Sequence, residues 1–276
     1  MTDETPSTPK LSVSRLGKTY HTKTAVMEAL REVSFDVRDG EFISIVGASG
    51  CGKTTLLKLL SGLVRPTTGT VLLDGVQVDR PGGDRGFVFQ QDCLLPWRTL
   101  ADNVLIGPEL QGRRKAAVED AQRFIELVGL DGFQDYYPHE LSGGMRQRVN
   151  LARALVVNPK VLLMDEPFAA LDSQTREVMQ WELLKIWEHA RKTVLFVTHQ
   201  IDEAVYLSDR VFVFSPRPGR LTEIVDVDLP RPRPLGLKRT PEFAALVDRI
   251  WGDIEEEVRS SIAGEMESRR RQGADR

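Results

Sequence analysis

One glycine-rich segment has the residue types and spacing to hold a phosphate group. Residues 47–54 read GASGCGKT, a match to GxxxxGK(S/T), and lie between the apolar run 42–46 and a leucine-rich helical pattern. In this context glycine lets backbone N–H groups turn toward an anion, and the following helix adds partial positive charge. The segment therefore predicts a phosphate-binding loop rather than a chance glycine-rich turn.

Side chains in this loop have separate expected roles. Lys53 is expected to reach the β and γ phosphates of a nucleotide, and the Thr54 hydroxyl to ligate Mg²⁺. Cys51 is either a small filler or a reactive thiol, and a reactive thiol requires a lowered pKa. The expected nucleotide-binding residues of the loop are Gly47, Ser49, Gly50, Cys51, Gly52, Lys53, Thr54 and Thr55.

Two acidic residues follow a second apolar run. Residues 161–164 read VLLM, and Asp165 and Glu166 come next. In a parallel α/β sheet the ligand lies at the carboxyl ends of the strands, so these acids are expected to face the phosphate loop. Because successive strand residues point to opposite sides, Asp165 is the expected Mg²⁺ partner and Glu166 the residue that polarises an attacking water. Without the phosphate loop, the same pair would indicate only a solvated strand end.

A histidine ends another strand-like run. His199 follows TVLFVT at residues 193–198. A single histidine at a strand end is commonly structural, but this strand end is expected to lie near the acidic pair. We therefore interpret His199 as a side chain able to contact a γ-phosphate or the attacking water.

A second anion-binding pattern begins a helix. Residues 141–155 read LSGGMRQRVNLARAL, in which Ser-Gly-Gly leaves helix N–H groups free for a phosphate. This segment resembles the signature motif of ATP-binding cassette (ABC) ATPases. The resemblance covers about residues 11–228. It implies an α/β fold, a P-loop NTPase cassette with a RecA-like core sheet, an antiparallel β subdomain and an inserted α-helical subdomain at about residues 91–158.

The resemblance also implies roles for residues outside the phosphate loop. Tyr20 matches the aromatic residue on which adenine stacks, and Gln90 matches the Q-loop glutamine, a further metal ligand. Asp172 ends a segment that is similar to the D-loop, and His199 matches the switch histidine. With Glu166, the resemblance thus implies a complete ATPase site that uses ATP and Mg²⁺.

ABC ATPases pair head to tail around two ATP molecules, which implies a homodimer that forms on ATP binding. Ser142, Gly143 and Gly144 are then expected to contact the nucleotide of the partner subunit. The sequence departs from the common pattern at Met145, where glutamine is usual, and also at Ala169 and Gln200. None of these departures removes a phosphate, metal or base position, so we expect activity.

Composition limits the classes of partner. Lys plus Arg number 37 against 40 Asp plus Glu, a net charge of −3, without the basic excess of a nucleic-acid-binding protein. We therefore expect no nucleic-acid partner. Two cysteines are too few for a disulfide framework and fit a reducing compartment. No run approaches 18 apolar residues, so any membrane spans are expected from other chains.

The remaining patterns predict the elements and domains around these motifs. Residues 1–10 are expected to be a flexible leader, and 11–228 the ATPase domain. Alternating prolines at 229–236 predict a stiff linker, and Thr240-Pro241 predicts the start of a C-terminal helix within the extension 229–276. The apolar stripe that should dock this helix on the cassette is Phe243, Leu246, Ile250, Ile254, Val258 and Ile262.

A single cassette without fused spans resembles the separate ATPase subunit of a bacterial importer. This implies two integral membrane permease subunits, an indirect extracytoplasmic substrate-binding protein, and a place on the cytoplasmic face of the inner membrane. Residues 80–104, 167–172 and 215–221 resemble the nitrate, sulfonate and taurine importer group, although Trp97 in the first segment is equally a core or subunit-contact aromatic. An exporter or lipid-transport ATPase and a soluble, non-transport ABC ATPase are the alternatives.

Overall fold

The computed structural model describes residues 8–21, 25–255 and 259. Within these residues the strands are β1 (Leu11–His21), β2 (Val26–Val37), β3 (Phe42–Gly47), β4 (Thr68–Leu73), β5 (Val76–Gln77), β6 (Arg85–Val88), β7 (Val161–Asp165), β8 (Thr193–Val197), β9 (Arg210–Phe214) and β10 (Leu221–Asp226). The helices are α1 (Lys53–Leu60), α2 (Leu100–Val104), α3 (Ile106–Leu110), α4 (Val118–Leu127), α5 (Gly143–Leu155), α6 (Ser173–Ala190), α7 (Ile201–Leu207) and α8, residues 241–255.

The central sheet has the strand order β10-β9-β3-β8-β7-β6, and all neighbours except β10 and β9 are parallel. Every residue of β3 is buried, as its continuous apolar run predicts. Phe42 and Val46 pack into one hydrophobic cluster, while Ile43 and Ile45 pack into another. The sheet is therefore covered on both faces.

A smaller antiparallel sheet, ordered β2-β1-β4-β5, shares the second of these clusters with α1. The segment 71–78, VLLDGVQV, is a hairpin in the structure rather than one continuous strand. Asp74 and Gly75 have φ values of 49° and 76° and turn β4 into β5. Positive φ at both positions is typical of a two-residue hairpin turn, which the Asp-Gly pair favours.

A helical block, α2 to α5, lies between β6 and β7 in the chain. Apolar residues recur at helical spacing along α4: Ala121 and Ile125 are buried, whereas Val118 at its start is 51% exposed. Trp97, just before α2, is 71% exposed, so the interpretation of this residue as part of the core is wrong.

No helix in the ranges that the structure describes is both long and apolar enough to cross a membrane.

The C-terminal extension packs on the cassette. The proline segment predicted as a linker is part of a strap, residues 229–239, and Arg233 within it is 3% exposed. The Thr240 hydroxyl accepts from the Phe243 N–H at 3.3 Å, which is the predicted N-cap of α8. Phe243 and Ile250 are buried in the main hydrophobic cluster, so the helix docks as predicted.

Val258 and Ile262 of the apolar stripe lie outside the described residues, as do residues 1–7 of the predicted leader.

Phe243→Ala should test the docking of α8. The Phe243 ring is 3% exposed, so its loss should leave a cavity and lower the free energy of unfolding by about 3 kcal/mol, measured by urea denaturation. Trp251→Ala is the control, because Trp251 on the same helix is 59% exposed and should cost about 0.5 kcal/mol or less. Equal effects of the two substitutions would contradict the docked arrangement.

Candidate functional site

The site forms where three neighbouring parallel strands end. Ile45 of β3 and Asp165 of β7 both pair with Val197 of β8, which lies between them. The glycine-rich loop begins at Gly47, two residues after Ile45. His199 follows Val197, the last residue of β8, by two residues. The sheet thus brings the loop, the acidic pair and the histidine to one edge, as their positions at strand ends predict.

The glycine-rich loop requires glycine at its two ends. Gly47 and Gly52 have φ values of 150° and 108°, and Gly50 between them has 77°. A Cβ at Gly47 would lie 2.5 Å from the Phe214 carbonyl oxygen, and one at Gly52 would lie 2.7 Å from the Ala29 carbonyl oxygen. The loop therefore packs too closely against neighbouring backbone for any other residue type.

The loop and the start of α1 offer donors to an anion. Gly52 caps α1 without a side-chain hydrogen bond, and the first turn contains no acidic residue. The N–H groups of the first turn of α1 are therefore available to a phosphate. Lys53 is 6% exposed, and its Nζ donates to the carbonyl oxygens of Gly47 at 2.7 Å and Ala48 at 3.0 Å. The Lys53 ammonium thus lies inside the loop that is predicted to bind the phosphates.

The other loop residues differ in exposure. Ser49, Gly50 and Thr54 are exposed, and Thr55 is half-buried. Cys51 is 1% exposed, and this burial raises the pKa of its thiol. Because a reactive cysteine requires a lowered pKa, the structure favours the small-filler interpretation of Cys51.

Thr54 and Asp165 form a pair of oxygen ligands suited to Mg²⁺. The Thr54 hydroxyl donates to Oδ1 of Asp165 at 3.1 Å. Burial raises the pKa of Asp165 although that hydrogen bond lowers it, so a bound cation would favour the carboxylate form. Hydroxyl and carboxylate oxygens match the preference of Mg²⁺, which commonly takes its other ligands from phosphates and water. Gln90 is exposed beyond the end of β6, the neighbour of β7 in the sheet.

Glu166 and His199 form a hydrogen-bonded pair at the mouth of the site. Nδ1 of His199 lies 3.1 Å from Oε2 of Glu166, close enough for the imidazole N–H to donate to the carboxylate. Glu166 has a φ of 45°, unusual for a residue with a side chain, and its N–H donates to the Val197 carbonyl oxygen at 3.0 Å. This turn directs Glu166 to His199, whereas Asp165 contacts Thr54.

Tyr20 lies on the antiparallel sheet, on the side where that sheet meets the loop. Tyr20 pairs with Met27 across β1 and β2. Arg217 joins this point to the loop, because its Nη1 lies 3.1 Å from the Met27 Sδ and its Nε and Nη2 donate to the Gly50 carbonyl oxygen at 3.2 and 3.0 Å. No motif in the sequence indicates a role for Arg217. Its only signal is its place in the segment 215–221, which resembles the nitrate, sulfonate and taurine importer group.

The signature residues lie at the exposed start of α5. The Ser142 hydroxyl accepts from the Met145 N–H at 3.2 Å and caps the helix, while Ser142 and Gly143 are exposed. Gly144 faces α6, since a Cβ there would lie 3.3 Å from Cγ2 of Thr175. Asp172 caps α6 by accepting from the Thr175 N–H at 3.0 Å, and hydrogen bonds from Thr175 lower the pKa of Asp172.

Comparison with known proteins gives consistent matches. The family model described as ABC transporter matches residues 30–169. An uncharacterized ABC transporter ATP-binding protein of Methanocaldococcus jannaschii is 52% identical over 92% of this chain and 94% of its own length. The taurine import ATP-binding protein of Rhizobium johnstonii is 47% identical, covering 86% of this chain and 90% of that protein. The nitrate import ATP-binding protein of Synechocystis sp. is 44% identical, covering 87% and 93%.

A solved structure supports the fold. A dimeric ATP-binding cassette in a post-hydrolysis state, bound to ADP and phosphate, aligns with a TM-score of 0.68 and 33% identity over 79% of this chain and 99% of that one. This likeness confirms the predicted fold class, a P-loop NTPase cassette. With the family match and the relatives, it shows that this chain belongs to the ABC transporter family, as one of its ATP-binding subunits.

Proposed function

We propose that the chain is the ATP-hydrolysing motor of an importer for taurine, other aliphatic sulfonates or nitrate. The observation that carries the hydrolytic part is the Glu166–His199 pair, with 3.1 Å between Oε2 and Nδ1, at the strand edge that also bears the phosphate loop. The relatives named as taurine and nitrate import proteins support an importer over an exporter, a lipid-transport ATPase or a soluble cassette ATPase.

In the proposed reaction, ATP lies with its phosphates on the loop and its adenine on Tyr20. Lys53 exchanges its bonds to the Gly47 and Ala48 carbonyl oxygens for bonds to the phosphates. Glu166 accepts a proton from the attacking water, and His199 orients that carboxylate and contacts the γ-phosphate. Thr54, Asp165 and Gln90 would hold Mg²⁺, which neutralises phosphate charge when bound.

Two copies are proposed to close around two ATP molecules. Ser142 and Gly143 at the exposed start of α5, and Gly144 beside them, would contact the nucleotide of the partner subunit. Asp172 would lie at the same interface, because it caps α6 next to Thr175, which faces Gly144. A dimeric arrangement in the aligned cassette structure supports this proposal.

The proposed assembly places the dimer at the cytoplasmic face of the inner membrane, beneath two integral permease subunits. Because no helix among the described residues could span a membrane, those spans belong to other chains in this proposal. Cargo would reach the permease from an extracytoplasmic substrate-binding protein. No nucleic acid takes part, in keeping with a net charge of −3.

Glu166→Gln should separate ATP binding from ATP hydrolysis. The amide cannot accept the proton of the attacking water, so steady-state turnover should fall by about 10² to 10⁴, while ATP affinity in a fluorescence titration stays unchanged. Glu119→Gln, an exposed change on α4, is the control and should turn over ATP like the parent. Parental turnover by Glu166→Gln would exclude Glu166 as the base.

Tyr20→Ala should weaken nucleotide binding. If the ring stacks on adenine, its loss should cost about 1 to 3 kcal/mol of binding free energy, by analogy with base–aromatic stacking elsewhere. Tyr20→Trp is the matched control, because indole retains a face for stacking and should retain affinity. Unchanged ATP affinity in Tyr20→Ala, measured by isothermal titration calorimetry, would reject the stacking role.

Uptake of labelled cargo tests the transport role directly. Source cells that carry the native chain or Lys53→Ala at equal expression should be compared for uptake of taurine, a second alkanesulfonate and nitrate. Because Lys53→Ala removes the ammonium that binds the phosphates, uptake of one of these cargoes should fall to background. Normal uptake of all three, with ATP hydrolysis by the purified native chain, would contradict the cargo class and leave the ATPase assignment standing.

A further inference from the structure

The C-terminal strap, residues 229–239, forms hydrogen bonds to the end of α7, the helix that follows His199. The buried guanidinium of Arg233 donates to the carbonyl oxygens of Val205 at 3.1 Å, Tyr206 at 3.1 Å and Ser208 at 2.8 Å. The Tyr206 hydroxyl donates back to the Arg233 carbonyl oxygen at 2.8 Å. Burial lowers the pKa of Arg233 to about 10, so it stays protonated at neutral pH. A cation thus satisfies carbonyl groups that a helix end leaves unpaired.

The strap also reaches the beginning of α7. Lys238 donates from Nζ to Oε1 of Gln180 at 2.7 Å, and the same Nζ lies 3.5 Å from Oδ2 of Asp202. A lysine ammonium only donates hydrogen bonds, so it fixes which way the Gln180 amide points. The amide nitrogen of Gln180 therefore faces Glu203 and donates to its Oε1 at 3.0 Å. Gln180 and Glu203 are 1% and 4% exposed, which keeps water from replacing these bonds.

This series of hydrogen bonds ends at Thr198 and Gln200, the residues on either side of His199 in the sequence. The other carboxylate oxygen of Glu203 accepts from the Thr198 hydroxyl. That hydroxyl accepts in turn from the Gln200 N–H at 3.0 Å, and the Thr198 N–H donates to the Ile45 carbonyl oxygen at 3.2 Å. The residues immediately before and after His199 are therefore both held.

We propose that the strap positions the switch histidine: Lys238, Gln180 and Glu203 are positioning residues that act through Thr198 to hold the His199 imidazole toward Glu166. The inference rests on the proposed role of His199 and extends it, because it gives the C-terminal extension a part in ATP hydrolysis. The Gln180 amide, which Lys238 orients, and the Thr198 hydroxyl both donate to the Glu203 carboxylate, so loss of the ammonium weakens the support of the acceptor that holds Thr198.

Removal of the ammonium has a defined consequence at Glu203. Burial raises the pKa of this carboxyl, and hydrogen bonds from Thr198 and Gln180 oppose the rise. If the Gln180 amide turns away, the protonated acid becomes more favourable and can donate to the Thr198 hydroxyl. The Thr198 hydroxyl hydrogen then loses its carboxylate acceptor, and the segment that carries His199 loosens.

Three variants separate this role from general support of the fold. Lys238→Met removes the ammonium and keeps an unbranched apolar side chain, while Lys238→Arg keeps a donor for Gln180 and should rescue the effect. Arg249→Gln is the matched control, because it breaks the ion pair from α8 to Glu223, 2.5 Å long, and touches no member of the series. Thermal unfolding of each variant reports the effect on the fold.

The first readout is the position of the imidazole without nucleotide. The chain has four histidines, so selective labelling of histidine rings gives few NMR signals, and His199→Ala assigns the one from His199. Lys238→Met should move that signal, Lys238→Arg should return it toward the parental position, and Arg249→Gln should leave it in place. An unmoved His199 signal in Lys238→Met would overturn the proposal.

The second readout is a double-mutant cycle in ATP hydrolysis. Lys238→Met should lower kcat by about 3- to 10-fold, the rate equivalent of one ordinary hydrogen bond, with KM for ATP within about twofold of the parent. In the His199→Ala background it should have no further effect. An equal reduction in both backgrounds would overturn the proposal, since Lys238 would then act independently of His199. Parental kcat in His199→Ala would instead reject the proposed function of His199, and the NMR comparison would still decide whether the strap positions it.

Discussion

The candidate site depends on one row of the central sheet, in which Ile45, Val197 and Asp165 pair side by side. A slip of this register by one residue would turn every following side chain to the opposite face, because the side-chain period of a strand is two. Bonds beyond the row extend it, from the Glu166 N–H to Val197 and from the Thr198 N–H to Ile45. Burial of the sheet on both faces makes such a slip costly, so the register of the core sets the geometry of the site.

The sequence was most informative where a strong periodic pattern coincided with a motif. Continuous apolar runs predicted β3, β7 and β8, and the motifs at their ends predicted that the phosphate loop, Glu166 and His199 meet. Strands with mixed composition were missed. β1 reads LSVSRLGKTYH, in which polar residues break the alternation, and its pairing with β2 contains several register shifts. Such a strand is specified by its neighbours more than by its own pattern.

Contacts between distant parts of the chain could not be predicted from patterns. Arg217 lies 167 residues from Gly50, whose carbonyl oxygen it contacts, and Lys238 lies 58 residues from Gln180. Each of these residues, read alone, is an ordinary polar side chain with no period or motif that indicates its partner. The prolines before Lys238 predicted a stiff linker over 229–236, but the segment enters a short 3-10 helix at Leu235, and only tertiary packing reveals that Arg233 inside it is buried. A motif thus predicts what a residue type can do, whereas packing determines what holds it.

The bonds of Lys53 to the loop have a consequence for the exchange of nucleotide. Because its ammonium donates to the Gly47 and Ala48 carbonyl oxygens, the phosphate loop contains an internal substitute for the anion. A buried cation without a partner would destabilise the empty loop, and these two carbonyl groups prevent that cost. In the proposed mechanism each binding event must then replace bonds that already exist, which lowers the net gain from the proposed lysine–phosphate contact. For a motor that must release its product in every cycle, this competition favours turnover over tight retention of nucleotide.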